Sequence, residues 1–510
     1  MFRTLRDLFS LFAVAWVLAR HDALIPREFA GLVPPFARTI GKIARLGARD
    51  RGRRPGQRLA AALGGQGPAY VKFGQLLATR PDIIGLQMAN DLGELQDKMP
   101  PFSMAEAEKE IERSFGRPVT ALFESFSEPV AAASIAQVHK AETLDGRPVA
   151  VKILRPGIEK KARKEFRILL LGARLAQRFV PASRRLEPVK FISTLMEASE
   201  VEFDLRIEAG SASELRENIA EMDDIVIPEV EWQWSSRRVL TVEWIDGTAL
   251  SDPEALAERT INRRHLARRV MQVFLTTALE QGFFHADMHQ GNLMIDAQGR
   301  LVLIDFGIMG RLDEPARKAF AEIIYGFIRR DYKLAAKAHF DAGYVPSHFN
   351  MEAFATALRA VGEPIFNKRA NEFDMSGVMQ QLFDVTDIFD MHLRPELVLL
   401  QRTMVVVEGV ARVLDPEIDL WSTAEPIVKA YVQREIGAAA LQRRARAGAE
   451  AAVSLLDAFP QFAQAAENVA GQLANGGLKL SDDTIERLAR AMRGKPLQDD
   501  DKPSSGRKPH

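Results

Sequence analysis

The chain is expected to fold as an α+β protein of two lobes, one built on a small sheet and the other mostly helical, with helical extensions at both ends. Three observations carry that expectation. The stretch from His285 to Gly310 reads as loop, strand, turn, strand and loop, with a polar side chain of chemical consequence in each loop. The stretch from Pro129 to Ile153 reads as strands that end on a lysine. From Glu314 onward the apolar residues recur at helical spacing with short breaks.

Within the first stretch, His285, Asp287 and Asn292 form the pattern H-x-D-x-x-x-x-N. Asn292 to Asp296 is a short apolar strand, Gln298-Gly299 is a turn signal, and Leu301 to Ile304 is a second strand that runs into Asp305-Phe306-Gly307. A tight antiparallel hairpin brings these groups to one end. Asp287 can accept a hydroxyl proton, while Asn292 and Asp305 can hold Mg²⁺ against nucleotide phosphates. This is the logic of the catalytic hairpin of protein kinases. Turn-forming Asp and Asn residues are the plainer explanation, but all three elements in this order on strands are far rarer than a bare D-F-G.

The 510 residues exceed what one core supports, so two or three domains are expected. Lys plus Arg and Asp plus Glu are both 68, and nothing in that balance points to nucleic acid. There is no cysteine, which excludes disulfides, thiolate zinc sites and a cysteine nucleophile. No apolar run reaches 18 residues, so no spanning helix is expected.

Residues 1–24 carry Arg3 and Arg6 and then an apolar run, with Phe9, Phe12 and Trp16 at helical spacing. Two readings fit: an interfacial membrane helix, or a helix packed on the protein's own core. From Lys42 to Arg58 seven basic residues meet one acid, a linker that beside such a helix suits anionic lipid. Residues 59–101 form helices around Lys72-Phe-Gly-Gln75, where Lys72 and Gln75 share a face and Gly74 implies close packing. Pro100-Pro101 is a boundary. A new unit, 102–243, opens with a helix from Met104 to Phe115. In Val149-Ala-Val-Lys-Ile153, Lys152 alternates with Val151 and Ile153 and therefore faces the other side of the sheet. The loop before it, Ala131-Ala-Ala-Ser134, stands where a Gly-rich phosphate loop belongs, and alanine makes it stiffer.

Lys152 needs a glutamate. Glu159 and Glu165 lie in a charged helix, 158–178, that looks solvated. A second helix from about Pro188 carries Glu202, Asp204 and Glu208. Glu208 is preferred, though spacing does not choose. Strands are expected at Val226–Val230 and Arg238–Trp244, and the hinge at Glu243-Trp-Ile245-Asp-Gly247 would bind adenine through its backbone. Residues 251–284 are expected to be helical. The second lobe, 244–440, follows, with no room after Gly310 for a long activation segment. Residues 441–510 read as further helices and a polar tail.

Together these residues resemble the UbiB family of atypical protein-kinase-like proteins, over about residues 60–440. Lys72-x-Gly-Gln75, the Ala-rich loop, Glu202-x-Asp204 with Glu208, and HADMHQGN with DFG carry the resemblance. It implies a bilobal kinase-like fold with an extension whose Lys72 and Gln75 lie over the active site, Lys72 contacting Glu202 and Asp204 while Glu208 pairs with Lys152. It implies ATP and Mg²⁺ as cofactors and weak ATPase activity in support of ubiquinone biosynthesis at the bacterial inner membrane. The ATP site would comprise Ala131, Ala132, Ala133, Ser134, Ile135, Ala136, Gln137, Val138, Lys152, Glu243 and Ile245. Asn292 and Asp305 would hold metal, and Asp287, Lys152 and Glu208 would be catalytic. The expected partners are a membrane surface, contacted peripherally from the cytoplasmic face, and ubiquinone-biosynthesis proteins or lipid intermediates. No nucleic acid is expected, and a homodimer is left open. The alternatives are a phosphotransferase acting on a small molecule or lipid, and a nucleotide-sensing scaffold. Two departures stand out. Met288 and Gln290 replace the prolines of the family's H-x-D-P-H-P-G-N, which should loosen that loop. The chain also ends on a polar tail where bacterial members commonly carry two spanning helices.

Overall fold

The computed structural model describes residues 2–23, 52–78, 84–93, 95, 99–180, 183–184, 187–252, 254, 256, 261–365, 375–391 and 394–435. The basic run from Lys42 to Arg51 and the expected helices and tail of 441–510 lie outside the described residues. The chain divides into two compact units, Met1–Gln433 and Arg434–His510, and everything that follows concerns the first.

Helix α1 (Phe2–Arg20) packs one face inward. Its Val14 and Leu18 join an apolar cluster with Leu63, Tyr70 and Leu92, and Asp7 pairs with Arg167 at 3.7 Å. The opposite face leaves Phe9, Phe12 and Trp16 exposed at 76, 72 and 59%. The packed reading therefore holds for one face of this helix, and the other face is open to solvent. Helices α2 (Pro55–Gly64), α3 (Pro68–Ala78) and α4 (Leu86–Gly93) complete the extension. A Cβ on Gly74 of α3 would sit 2.9 Å from Leu95 and 3.0 Å from Leu63, which is why glycine stands there.

Helix α5 (Met104–Phe115) starts at Ser103, whose backbone N–H and hydroxyl both donate to Glu106, at 3.1 and 2.7 Å. Strands β1 (Phe123–Ala132), β2 (Ala136–Thr143) and β3 (Pro148–Leu154) follow. With β5 (Val239–Glu243) they form an antiparallel sheet in the order β1-β2-β3-β5. Val149, Val151 and Ile153 are buried against Ala107 and Ile111 of α5. Each such aliphatic side chain contributes about 1.5–3 kcal/mol by burial, which fixes the register of β3.

Helix α6 (Ile158–Phe179) is amphipathic rather than solvated, burying Ala162, Glu165 and Phe166. The single helix expected from Pro188 is instead two, α7 (Pro188–Glu202) and α8 (Leu205–Asn218). Asp204 between them is extended, and its carboxylate accepts from the Arg206 N–H at 3.2 Å, capping α8. The strand expected over Val226–Val230 shrinks to β4 (Ile225–Val226), because Pro228 offers no N–H to continue the ladder. It does not join the first sheet. It pairs parallel with Leu301–Val302, so the segment before the hinge supplies a strand to the hairpin's sheet.

Beyond β5 (Val239–Glu243) and β6 (Gly247–Ala249) comes α9 (Arg263–Thr276), prolonged by a π turn over Thr277–Gln281. The helix expected to reach residue 284 stops at Gly282 (φ +64°), and Phe283–His285 is strand β7. The hairpin is β8 (Leu293–Asp296) and β9 (Leu301–Leu303), turned at Gly299 (φ +81°), in a sheet ordered β4-β9-β8-β6. Strand β10 (Met309–Arg311) pairs with β7. Helices α10 (Glu314–Ile328), α11 (Tyr332–Asp341), α12 (Met351–Gly362), α13 (Met375–Ile388), α14 (Pro395–Leu414) and α15 (Leu420–Glu435) follow. One large core joins α6–α9, the hairpin, α10, α14 and α15, while Tyr332, Phe354 and Phe389 centre a separate cluster.

Candidate active site

Because Val151 and Ile153 face α5, Lys152 faces the cleft. Its Nζ lies 2.7 Å from a Glu208 carboxylate oxygen and 3.1 Å from Asp305 Oδ1. Glu208 sits in the first turn of α8, where the extended Asp204 aims it inward. The other candidate carboxylates are committed elsewhere. Glu159 meets Arg238 at 2.5 Å, Glu165 accepts the Ala69 N–H at 3.0 Å at the start of α3, and Glu202 pairs with Lys72. Asp204 does not meet Lys72, because Arg206 takes its carboxylate at 2.9 and 2.6 Å. The Gln75 side chain makes no hydrogen bond to a described residue.

One cation thus sits between two carboxylates. Burial works against the Lys152 charge, but Asp305 and Glu208 outweigh it and hold the amine well above the usual lysine value. The Lys152 charge holds the Asp305 carboxyl at about 2. Burial pushes Glu208 up, with Lys152 pulling the other way. Asp305 is half exposed (49%) and keeps its charge more easily than Glu208. Its backbone is left-handed, φ +60°, at a cost of about 1 kcal/mol, and this turns the carboxylate off the end of β9 toward Lys152.

The loop before the hairpin is ordered by His285, which is buried. Its Nε2 lies 3.1 Å from the Ile304 carbonyl, and its Nδ1 lies 3.1 Å from the Asp287 N–H. A carbonyl only accepts and an N–H only donates, so the proton is on Nε2 and the ring is neutral. Burial lowers the His285 pKa in agreement. Asn292 Nδ2 donates to the Asp287 carbonyl at 3.0 Å and reaches its carboxylate at 3.5 Å. That leaves the carboxamide oxygen as the Asn292 donor for a metal. Met288, which stands where the family has proline, is buried in the main core and anchors the loop by packing. His289, to which the sequence reading assigned no role, accepts the Gly291 N–H at Nδ1 (3.0 Å) and sets Nε2 3.7 Å from Asp287.

Across the first sheet, register puts Ala131, Val138, Lys152 and Leu240 side by side. They roof the cleft. Gln137 does not. It lies on the α5 face, where its amide exchanges hydrogen bonds with the Phe102 backbone at 2.8 and 3.3 Å, so its side chain leaves the expected ATP set. Ala132, paired with Gln137, belongs to that face too, and Ala136 is buried in the main core. The Ala133 N–H closes the loop on the Ala136 carbonyl at 2.8 Å around Ser134 and Ile135. Ser134 is fully buried, and its hydroxyl has no partner among the described residues. At the hinge, the Glu243 N–H is taken by Glu229 (2.8 Å) and the Trp244 N–H by Pro148 (3.1 Å). Glu243 therefore has its carbonyl to offer a base. No described residue accepts the Ile245 N–H.

Residues 94–339 match the ABC1 atypical kinase-like domain, and residues 358–419 match the UbiB helical domain. A protein of Marinobacter nauticus named "Probable protein kinase UbiB" is 38% identical over 446 residues, 84% of this chain and 80% of its own length. A protein of the same name from Pseudomonas paraeruginosa is 38% identical over 393 residues, 76% of this chain and 74% of its own length. The fold is also that of Rv3197 from Mycobacterium tuberculosis, solved with erythromycin, at a TM-score of 0.51 and 24% identity over 77% of this chain and 97% of that one. Among the described residues no helix is long and apolar enough to cross a membrane. The chain belongs to the UbiB family of atypical kinase-like proteins.

Proposed function

We propose that the chain binds MgATP between its lobes and turns it over in support of ubiquinone biosynthesis at a membrane surface. The observation that carries this reading is Lys152 held between Glu208 and Asp305, with Asp287 and Asn292 at the same end of the hairpin. Lys152 would take the nucleotide's α- and β-phosphates. The Glu243 carbonyl and the Ile245 N–H would meet adenine. Asn292 and Asp305 fit Mg²⁺, since one is a carboxylate ionised above pH 2 and the other has a carboxamide oxygen left over. The ion would supply charge neutralisation on the phosphates. Asp287, hydrogen-bonded by Asn292, orients water or an acceptor hydroxyl. Only residues 308–313 separate DFG from α10, and three of these six are in β10, so an extended peptide has no platform. A small or lipid acceptor, or water, suits this cleft better. The kinase name of the relatives agrees with phosphoryl transfer.

Purified protein should melt several degrees higher with MgATP, and Lys152→Ala should abolish that shift. No shift in the unaltered chain would sink the reading. Asp287→Asn should keep MgATP binding and lower phosphate release about 100-fold. If that variant still sustains ubiquinone synthesis in cells, the protein acts as a nucleotide-sensing scaffold.

The membrane contact we assign to the exposed face of α1. It presents Leu8, Phe9, Phe12 and Trp16 beside Arg6, with Arg20 at the far end. In flotation with anionic liposomes, replacing Phe9, Phe12 and Trp16 by Ser should release the protein. Undiminished flotation would place the contact elsewhere.

A further inference from the structure

We propose that Arg155 is a positioning residue for the nucleotide loop, holding the turn at Ala133–Ile135 in the conformation that meets the nucleotide's phosphates. This rests on the nucleotide-binding reading above. Arg155 follows β3 on the same side as Val151 and Ile153, and its guanidinium lies 5.7 Å from the Phe102 ring, which packs on the α5 cluster. It is therefore on the face opposite Lys152. From there Nε and Nη2 donate to the Ala133 carbonyl at 2.9 and 2.7 Å, and Nη2 also donates to the Pro100 carbonyl at 2.8 Å. The Arg155 N–H donates to the Ile135 carbonyl at 2.8 Å, and the Arg155 carbonyl accepts from Arg238 at 3.1 Å.

The consequence follows from the planar trans peptide. The Ser134 N–H is antiparallel to the Ala133 C=O. Pulling that carbonyl toward Arg155 turns the Ser134 N–H the other way, to the side that carries Lys152. No described residue accepts this N–H, and the buried Ser134 hydroxyl is likewise unmet. Two unmet donors in a fully buried residue are costly, and a carbonyl gripped from outside the loop helps to hold them in that conformation. A Gly-rich loop would reach such a conformation through its own backbone freedom. Here alanines adopt it because a fork from just past the end of β3 grips the carbonyl. The same fork ties the loop to Pro100, where the extension ends. A lysine in its place has one ammonium and lacks the fork.

The test uses the full chain, Arg155→Ala and Arg155→Lys. Without nucleotide, amide hydrogen exchange in a peptide spanning 131–137 should quicken about tenfold in Arg155→Ala, while 293–304 is unchanged. Calorimetric affinity for MgATP should fall about tenfold, with adenosine binding unaltered. Arg155→Lys should recover less than half of either effect, and it stands in if the alanine variant fails to fold. Unchanged loop exchange, or equal losses for adenosine and MgATP, overturns the proposal. If the unaltered chain binds no MgATP, the nucleotide reading fails, while exchange still decides whether Arg155 clamps the loop.

Discussion

The two faces of β3 make opposite uses of positive charge. On the cleft face Lys152 lies between Glu208 and the half-exposed Asp305. On the α5 face Arg238 is gripped at 2.5 Å by both Glu110 and Glu159 and also donates to the Arg155 carbonyl, while Arg155 holds two more carbonyls. An ammonium is a compact point charge on a flexible stem, able to trade a carboxylate for a phosphate. A guanidinium is a rigid fork that meets several acceptors at once. The difference teaches where this lobe keeps its chemistry and where it keeps its shape.

Exchanging the two residue types should break that contrast in opposite ways. Lys152→Arg should cost about 100-fold in phosphate release while leaving the unfolding midpoint nearly unchanged, although the charge is kept. Retained turnover would mean that the cleft asks only for a cation. Arg238→Ala, measured by chemical denaturation, should cost about 3 kcal/mol, because it strands the buried Glu110 beside Glu159. Arg238→Lys should cost about 2 kcal/mol and leave MgATP affinity unchanged.

The smallest effect concerns pH. Asp305 is depressed to about 2 from 3.8, so its contribution is present above pH 3.8 and is lost only as pH falls through 2. The Lys152 pKa is raised, so its contribution is complete below 10.5. The cleft pair is therefore indifferent to mild acid. His339, buried with its Nδ1 2.7 Å from the Ala335 carbonyl, is lowered to about 4 by burial. Below pH 6.5 the unfolded chain takes a proton that folded His339 refuses, so stability falls from 6.5 toward 4. The slope is up to about 1.4 kcal/mol per pH unit. Denaturation midpoints at pH 7 and 4.5 should differ less in His339→Phe than in the unaltered chain. An equal difference would move the acid sensitivity to other groups.

What was legible in the sequence was local. The hairpin, the strand lysine and the helix over Met104–Phe115 each show in a short window of periodicity and turn chemistry. Four glutamates stood within reach of Lys152 by spacing, and the one that meets it depends on Asp204 ending one helix and capping the next. That break shows only as a short polar residue three positions after Val201. Gln137 reads as part of a phosphate loop until the Phe102 backbone, 35 residues earlier, claims its amide. Arg155 and Glu165 were invisible as positioning groups because each holds backbone atoms far away in the chain, at Pro100 and Ala69. Pattern reading scores side chains against neighbours and carries no term for a distant carbonyl or N–H.

The corner at Phe203–Asp204 has a last consequence. Glu202 and Glu208 stand six residues apart on its two arms, one satisfied by Lys72 and the other by Lys152. Trimming the protein to its bilobal core would remove the first cation and leave an uncompensated anion whose field reaches the second pair. The helices ahead of residue 102 thus supply one of the cations that these carboxylates lean on, and a shortened version would start life out of balance.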